Sequence, residues 1–419
     1  MRVLFIHQNI PGQFPHLMRA LCDDPANEVW AIGEQAAAPR AAKVHPRLKI
    51  VSYALGEPDT KPNPHPYLAD ADAQVRRGQV VARALLQLKG KGLVPDVVVA
   101  HPGWGESLFV KDVFPQVPLL NYFEFFFSAT GADVGFDPEF PSTLDNTLRL
   151  RLRNALFLSA LDACDAGVSP TGWQRSRFPA PYRERIAVVH EGVDTDALVP
   201  DAHATFDWQG ERFSAGEPIV TYVARNLEPY RGFHVFMRAL PALLAGSPQA
   251  RVLVVGGDGV SYGRKASQGR SWRRAMTEEL GDKLDLSRVH FTGKLPFPQY
   301  LKVLQVSAAH VYLTYPFVLS WSLLEAMSAG CCVVASRTAP VEEVIVDGAN
   351  GRLVDFFDTA AIADTVAQAL ARPAAQRALR GAARETVVNR FDLRTVCLPQ
   401  GLALIRRVAG GAPGVRSAT

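Results

Sequence analysis

The stretch Ile219-Val220-Thr221-Tyr222-Val223-Ala224-Arg225-Asn226-Leu227-Glu228-Pro229-Tyr230-Arg231-Gly232-Phe233-His234-Val235 decides the fold. Its first five residues are all β-branched or aromatic, which reads as a buried strand. A polar loop ending in Arg231-Gly232 follows, and helical spacing begins at Phe233 and runs to Ala245. Strand, loop, helix is how a doubly wound α/β unit opens. Here it opens mid-chain, after the polar, turn-rich Gly210–Glu217. The chain has already opened this way once, with Val3–Ile6 as strand, Pro11-Gly12 in the loop and Phe14–Leu21 as helix.

Working outward, the first half offers strands at Val97–Ala100, Leu119–Tyr122, Ala166–Ser169 and Ile186–Val189, with helical spacing over Gln74–Leu88 and Leu148–Ala163. The second half continues with Arg251–Val255, Val289–Phe291, His310–Leu313 and Cys331–Ala335 as strands, and Phe297–Ser307 and Leu323–Ala329 as helices. This βαβ rhythm predicts two Rossmann-like doubly wound domains, whose strand C-terminal ends face a cleft where ligands bind. The expected domains are residues 1–197 and 198–390. An amphipathic stretch over 391–409 follows, and 410–419 reads as a disordered tail.

Length and composition agree. The 419 residues suit two domains, and 48% apolar with 21% charged residues is an ordinary globular balance. Five Cys without a C-x-x-C exclude a disulfide scaffold or a structural zinc module. No apolar run reaches a membrane span of roughly 18 residues, and the N-terminus has no signal-peptide pattern, so a cytoplasmic setting is expected. Residues 1–197 hold 20 basic and 22 acidic residues, the remainder 25 and 19. The second half is therefore the better place for an anion such as a nucleotide diphosphate. The basic residues are scattered, which argues against nucleic acid.

Three stretches of the second half carry chemistry. In the opening stretch, Arg225 and Arg231 stand at the two ends of a loop and can converge on a diphosphate. Val254-Val255-Gly256-Gly257-Asp258-Gly259 runs a strand into a Gly-rich turn. Leu319-Ser320-Trp321-Ser322-Leu323-Leu324-Glu325-Ala326-Met327-Ser328-Ala329-Gly330 opens a helix whose free amides can bind phosphate. Glu325 has two readings there: it completes a capping box with Ser322, or it grips ribose hydroxyls.

In order, A-R-N-L…R-G, V-V-G-G-D-G, F-T-G-K-L-P, L-L-E-A-M-S-A-G, V-V-A-S and D-G-A-N-G-R-L-V resemble the C-terminal domain of retaining nucleotide-sugar glycosyltransferases of family 4, which have the GT-B fold. The resemblance runs over about residues 219–356, and it implies that a last helix over 391–409 crosses back to the N-terminal domain. The first half matches more loosely, through Ile10-Pro11-Gly12-Gln13, Ala100-His101-Pro102-Gly103-Trp104 and Glu191-Gly192-Val193-Asp194-Thr195. It implies that Arg225 and Arg231 neutralise the donor diphosphate, with the amides near Ser320, Trp321 and Ser322 capping the same phosphates. Glu325 would hold the ribose, Gly12 would let its loop approach the donor, and His101 would face the transferred sugar. Gly257, Asp258, Gly259, Lys294 and Leu295 would line the donor site near the base. One position departs: Phe317 stands where the family carries its first Glu, which leaves the sugar open.

The implied activity is metal-independent transfer of a sugar, with retention, from a nucleotide-diphosphate sugar to a hydroxyl of a glycan or glycolipid acceptor, in surface polysaccharide or glycolipid assembly. No cofactor beyond the co-substrate is implied. The alternatives are a non-catalytic nucleotide-sugar binding protein and a sugar-nucleotide epimerase on the same fold.

Other features have bland readings beside functional ones. Asp70-Ala71-Asp72 and Asp194-Thr195-Asp196 have the D-x-D pattern of metal sites, but the first opens a helix where acids suit the dipole. Tyr122-Phe123-Glu124-Phe125-Phe126-Phe127 reads as a strand end or as an acceptor-side aromatic platform containing Glu124. Arg264, Lys265, Arg270, Arg273 and Arg274 read as a solvated basic face, or as facing an anionic acceptor or a membrane surface, a peripheral contact with the inner face of the cell membrane.

Overall fold

The computed structural model describes residues 1–56 and 65–411. The expected disordered tail therefore lies almost wholly outside the described residues. The chain divides into two compact units, Met1–Glu191 with the segment from Arg394, and Gly192–Leu393.

The first unit is built on seven parallel strands: β1 (Arg2–Ile6), β2 (Glu28–Glu34), β3 (Lys49–Tyr53), β4 (Val97–Ala100), β5 (Leu119–Tyr122), β6 (Ala166–Ser169) and β7 (Ile186–Val188). Their order is β3-β2-β1-β4-β5-β6-β7. Val3 pairs with Val29 on one side and with Val97 on the other. The centre of the sheet is apolar on both faces because helices cover both. Val3, Phe5, Val97 and Val99 pack with α1 (Pro15–Asp23). Leu4, Ile6, Val98 and Ala100 face α2 (Ala69–Gly90) and α3 (Leu144–Ala163) through Val81, Leu85 and Leu161. Pro15 opens α1, and the Thr143 hydroxyl caps α3 by accepting the Asn146 N–H.

The second unit begins with a two-stranded hairpin, β8 (Thr205–Trp208) and β9 (Glu211–Ser214), joined at Gln209-Gly210 with both φ positive. Within the turn-rich Gly210–Glu217, Glu211–Ser214 is thus a strand that the sequence reading did not name. Six parallel strands follow: β10 (Ile219–Asn226), β11 (Arg251–Gly257), β12 (Val289–Gly293), β13 (Ala309–Tyr312), β14 (Val333–Ser336) and β15 (Arg352–Val354). Their order is β12-β11-β10-β13-β14-β15. The covering helices include α4 (Phe233–Gly246), α5 (Trp272–Leu280), α6 (Phe297–Gln305), α7 (Trp321–Ser328), α8 (Thr359–Ala371) and α9 (Arg377–Phe391). The last helix, α10 (Leu398–Ala409), belongs to the first unit, where Leu404, Ile405 and Val408 complete the α1 side of the core.

The chain passes between units at Glu191/Gly192 and again at Leu393/Arg394, a few residues from the boundaries expected at 197/198 and 390/391. Residues 192–198 are held by the second unit. Val193 N–H donates to Phe391 O, Leu393 N–H donates to Val193 O, and Arg384 reaches the carbonyls of Thr195 and Leu198.

Candidate active site

In each unit the strand order reverses next to the first strand, between β1 and β4 and between β10 and β13. Ligand sites of doubly wound sheets lie at the C-terminal ends of such strands.

In the first unit these two ends carry a histidine each. His7 follows β1 and His101 follows β4, with ring centroids 5.1 Å apart. Their tautomers are set by backbone. The Asn9 N–H donates to His7 Nδ1 at 2.8 Å and the Gly103 N–H donates to His101 Nδ1 at 3.0 Å, so each ring carries its proton on Nε2. His7 Nε2 donates to Gln13 Oε1 at 2.7 Å. His101 Nε2 is buried and has no hydrogen-bond partner; Glu124 Oε2 lies 3.9 Å away. Trp104 and Tyr122 stack on the His101 ring at 4.5 and 5.4 Å. Burial brings His7 down to about 4 and holds His101 well below its usual range, with His7 adding to the second effect. Both rings are neutral at pH 7.

Gly12 belongs to this cluster for a steric reason. Its φ is +56°, and a Cβ there would stand 2.4 Å from His7 Nε2. The structure thus brings Gly12, His101 and Glu124 together around His7, Gln13 and Trp104, which sequence reasoning missed. A signal existed: the rule that singles out a His directly after β4 applies equally to the His directly after β1.

In the second unit Arg231 closes the turn Pro229–Arg231 and is 8% exposed. Its Nη1 donates to Thr314 Oγ1 at 2.8 Å and Val318 O at 2.9 Å. The Tyr312 hydroxyl links it to the start of α7, lying 3.5 Å from Arg231 Nη1 and accepting the Ser320 N–H at 2.9 Å. Tyr262 lies over the guanidinium with its ring centroid 5.4 Å away. Arg225, by contrast, is exposed at the end of β10 and makes no ion pair among the described residues. The two arginines are therefore unequal, one built into the framework and one open.

Ser320 is the N-cap of α7, its hydroxyl accepting the Ser322 N–H at 3.4 Å; Trp321 is exposed, and the first turn holds no acidic residue. Glu325 sits too far along the helix for a capping box. Its Oε2 instead accepts the Tyr300 hydroxyl at 2.5 Å, which removes the capping-box reading with Ser322. Burial raises the Glu325 pKa, partly offset by Tyr300.

Asn226, Gly257, Gly259 and Lys294 meet in one place. A Cβ on Gly257 would stand 2.6 Å from Lys294 Cε and 2.8 Å from Asn226 Oδ1, and one on Gly259 3.2 Å from Asn226 Oδ1. Lys294 is exposed, and Leu295 is half-buried against the hairpin core. Asp258 pairs with Arg273 at 2.7 Å. Glu228 is buried and accepts N–H bonds from Ser261, Tyr262 and Gly263, which pins the loop bearing Tyr262. Phe317, at the departing position, is buried against Tyr230 and Tyr262.

The remaining features take structural roles. Asp72 of the first D-x-D pairs with Arg76 on α2, and Asp194 of the second caps a turn by accepting the Ala197 N–H. Of the basic group on 262–280, Arg270 and Arg274 both pair with Glu278. No described helix is long and apolar enough to cross a membrane.

Two parallel-sheet α/β units in one chain place the protein in the GT-B class. The fold is similar to sucrose-phosphate synthase from Thermosynechococcus elongatus, with a TM-score of 0.71 at 17% identity over 98% of this chain and 100% of that chain. It is also similar to Anabaena HepE solved with UDP, with a TM-score of 0.65 at 16% identity over 96% and 99%. Residues 25–198 match the family described as glycosyl transferase family 4 group, and residues 217–372 match glycosyl transferases group 1. The chain belongs to the family 4 glycosyltransferases. A GDP-mannose-dependent alpha-(1-6)-phosphatidylinositol monomannoside mannosyltransferase of Mycolicibacterium smegmatis is 30% identical over 232 residues, 53% of this chain and 57% of that protein. A D-inositol 3-phosphate glycosyltransferase of the same organism is 31% identical over 199 residues, 46% and 42%. The matches span about half the length of these curated relatives.

Proposed function

We propose that the protein transfers a sugar from a nucleotide-diphosphate sugar to a hydroxyl acceptor, with retention and without a metal ion. One observation carries the reading: at the strand-order reversal of the second unit, an N-terminal helix turn without acids adjoins Arg231 through Tyr312, on the unit that also carries the open Arg225. Such a place attracts the charge that grows on a departing diphosphate. Arg225 supplies a mobile cation, and the Ser320–Ser322 amides supply fixed dipoles. Arg231 keeps its charge in place as part of the frame. With attack from the face the leaving group vacates, a phosphate oxygen takes the acceptor proton and no side-chain base is needed. Gly257, Gly259 and Lys294 border the nucleoside, and Glu325 holds its ribose. The relatives and the HepE complex support a nucleotide-sugar donor; the mannosyltransferase supports a lipid-borne acceptor.

The test is a thermal-shift screen of UDP-, GDP-, ADP- and dTDP-sugars, then turnover with the best binder. A ligand at 100 times its Kd stabilises by about 2.7 kcal/mol. Product of inverted anomeric configuration, or turnover abolished by EDTA and restored by Mg²⁺, overturns the corresponding part. A second reading, a nucleotide-sugar binding protein without turnover, is favoured by Phe317 in place of the family's acid. Tight binding with no product would establish it.

A further inference from the structure

The connection from β11 to α5 runs from Asp258 to Ser271. That is well beyond the roughly 2–6 residues that usually join a strand to the helix after it, and long loops of this kind tend to be functional. The segment leaves the C-terminal end of β11 and turns back onto the end of β10. Asn226 Nδ2 donates to Ser261 Oγ at 2.7 Å. Glu228, 1% exposed, accepts three successive backbone N–H groups, from Ser261 at 3.0 Å, Tyr262 at 3.2 Å and Gly263 at 2.9 Å. The Trp272 indole N–H donates to Arg264 O at 2.7 Å on the far side of the turn. Hydrogen bonds to a carboxylate are among the stronger ones in a protein. Residue 262 is therefore placed by the end of β10 and the start of α5, and its position is not left to the loop.

What this frame holds is a tyrosine. Its ring centroid lies 5.4 Å from Arg231 Cζ, 6.1 Å from the Tyr230 ring and 4.9 Å from the Phe317 ring, which it meets edge-on. Arg231 and Phe317 are buried, yet Tyr262 keeps 37% of its surface exposed. A scattered exposed aromatic needs no explanation. This one is held by a buried carboxylate, beside the guanidinium that Tyr312 links to the start of α7.

A nucleotide-diphosphate sugar brings three parts to such a place. The diphosphate belongs with the cations and the helix amides, since the negative face of an aromatic ring does not attract it. The nucleoside is bordered by Gly257, Gly259 and Lys294. The sugar remains. Residues 311–324 contain no Asp or Glu, so that segment offers its hydroxyls no carboxylate. Tyr262 and Phe317 offer an aromatic wall instead. The C–H face of a pyranose is its apolar side, and an aromatic ring is the surface that suits it.

We propose that Tyr262 binds the transferred sugar by stacking against its C–H face. This rests on the transferase reading above.

The experiment uses the full chain with Tyr262→Leu and Tyr262→Phe. Leu keeps apolar bulk without a ring face; Phe keeps the ring without the hydroxyl. UDP, GDP, ADP and dTDP are titrated calorimetrically beside UDP-glucose, GDP-mannose, ADP-glucose and dTDP-glucose, and donor KM and kcat are measured for any that turn over. The quantity read is the sugar increment, the affinity of a sugar nucleotide divided by that of its bare nucleotide. Tyr262→Leu should lose at least fivefold of the increment while binding the bare nucleotide within twofold of wild type. Its donor KM should rise by a similar factor, with a smaller change in kcat. Tyr262→Phe should retain most of the increment. An increment that survives in Tyr262→Leu overturns the stacking. So does an equal loss for nucleotide and sugar nucleotide, which would place the ring on the base. Turnover by a wild type that shows no increment overturns it as well. A wild type that binds no sugar nucleotide better than its nucleotide, and turns none over, overturns the transferase reading itself. That failure shows before any variant is compared.

Discussion

The hydroxyl of Tyr300 on α6 donates to the carboxylate of Glu325 on α7 at 2.5 Å. The helix pair thus shares a polar contact inside an otherwise apolar interface, and the contact uses only one carboxylate oxygen. Burial disfavours the charged form of Glu325 and the tyrosine partly restores it. Tyr300→Phe should therefore lower stability by about 1.5–3 kcal/mol at pH 7, the usual worth of a hydrogen bond to a charged group. Glu325→Gln keeps an acceptor for Tyr300 and should melt near wild type while weakening donor binding at least tenfold. A Gln variant that melts several degrees lower and binds donor normally makes Glu325 purely structural.

The two arginines should part company. Arg225→Ala removes an exposed side chain, so stability should stay within about 0.5 kcal/mol of wild type while turnover falls about 10²–10³-fold. Arg231→Ala leaves Thr314 Oγ1 and Val318 O without their donor, and should cost about 1.5–3 kcal/mol of stability as well as activity. Chemical denaturation read beside kinetics decides; equal stability losses in both would erase the distinction.

Gly12→Ala meets two obstacles, a left-handed backbone and the His7 ring. The backbone alone costs on the order of 1–2 kcal/mol. The variant should melt several degrees lower and lose activity, because the ring must leave Gln13. Adding His7→Ala should recover the steric part of the loss but not the backbone part. If the double variant is no more stable than Gly12→Ala, the ring is not what excludes the side chain.

Acid should destabilise the protein well before its carboxylates titrate. His7, His190 and His310 are each lowered to about 4, chiefly by burial. The unfolded chain binds these protons near pH 6.5 and the folded chain only near 4, so stability is lost as pH falls through that window. Each ring contributes up to about 1.4 kcal/mol per pH unit there. His310→Asn should lower stability at every pH, flatten the melting profile between pH 6.5 and 4, and leave its slope above 7 unchanged. An unchanged slope would mean His310 is not a source of the acid sensitivity.

Several strands were legible because they are short runs buried at most of their positions: Val97–Ala100, Leu119–Tyr122 and Ala166–Ser169 fall where the sequence places them. Two strands on the β1 side of the first sheet were not. Glu28–Glu34 and Lys49–Tyr53 mix charged residues with apolar ones, since only some of their positions are buried. The hairpin was hidden by polar exposed positions alternating with Phe206 and Phe213. In the site, single motifs were readable, but partnerships were not. Tyr300 lies 25 residues before Glu325, and no local spacing announces their contact. The His7–His101 pair depends on β1 and β4 being neighbours, a property of sheet order.

That the first unit is finished by α10 has a consequence for biosynthesis. Residues 192–393 emerge from the ribosome as one uninterrupted stretch holding all of their own strands and helices. The earlier-made sheet has no such independence: until Leu404, Ile405 and Val408 are translated, the layer around Met18, Phe14 and Val99 lacks part of its cover. The half synthesised first is thus the half completed last. During that interval its apolar surface is available to chaperones or to other nascent chains. A stop codon between Leu393 and Leu398 would spoil the N-terminal fold while leaving the C-terminal one whole.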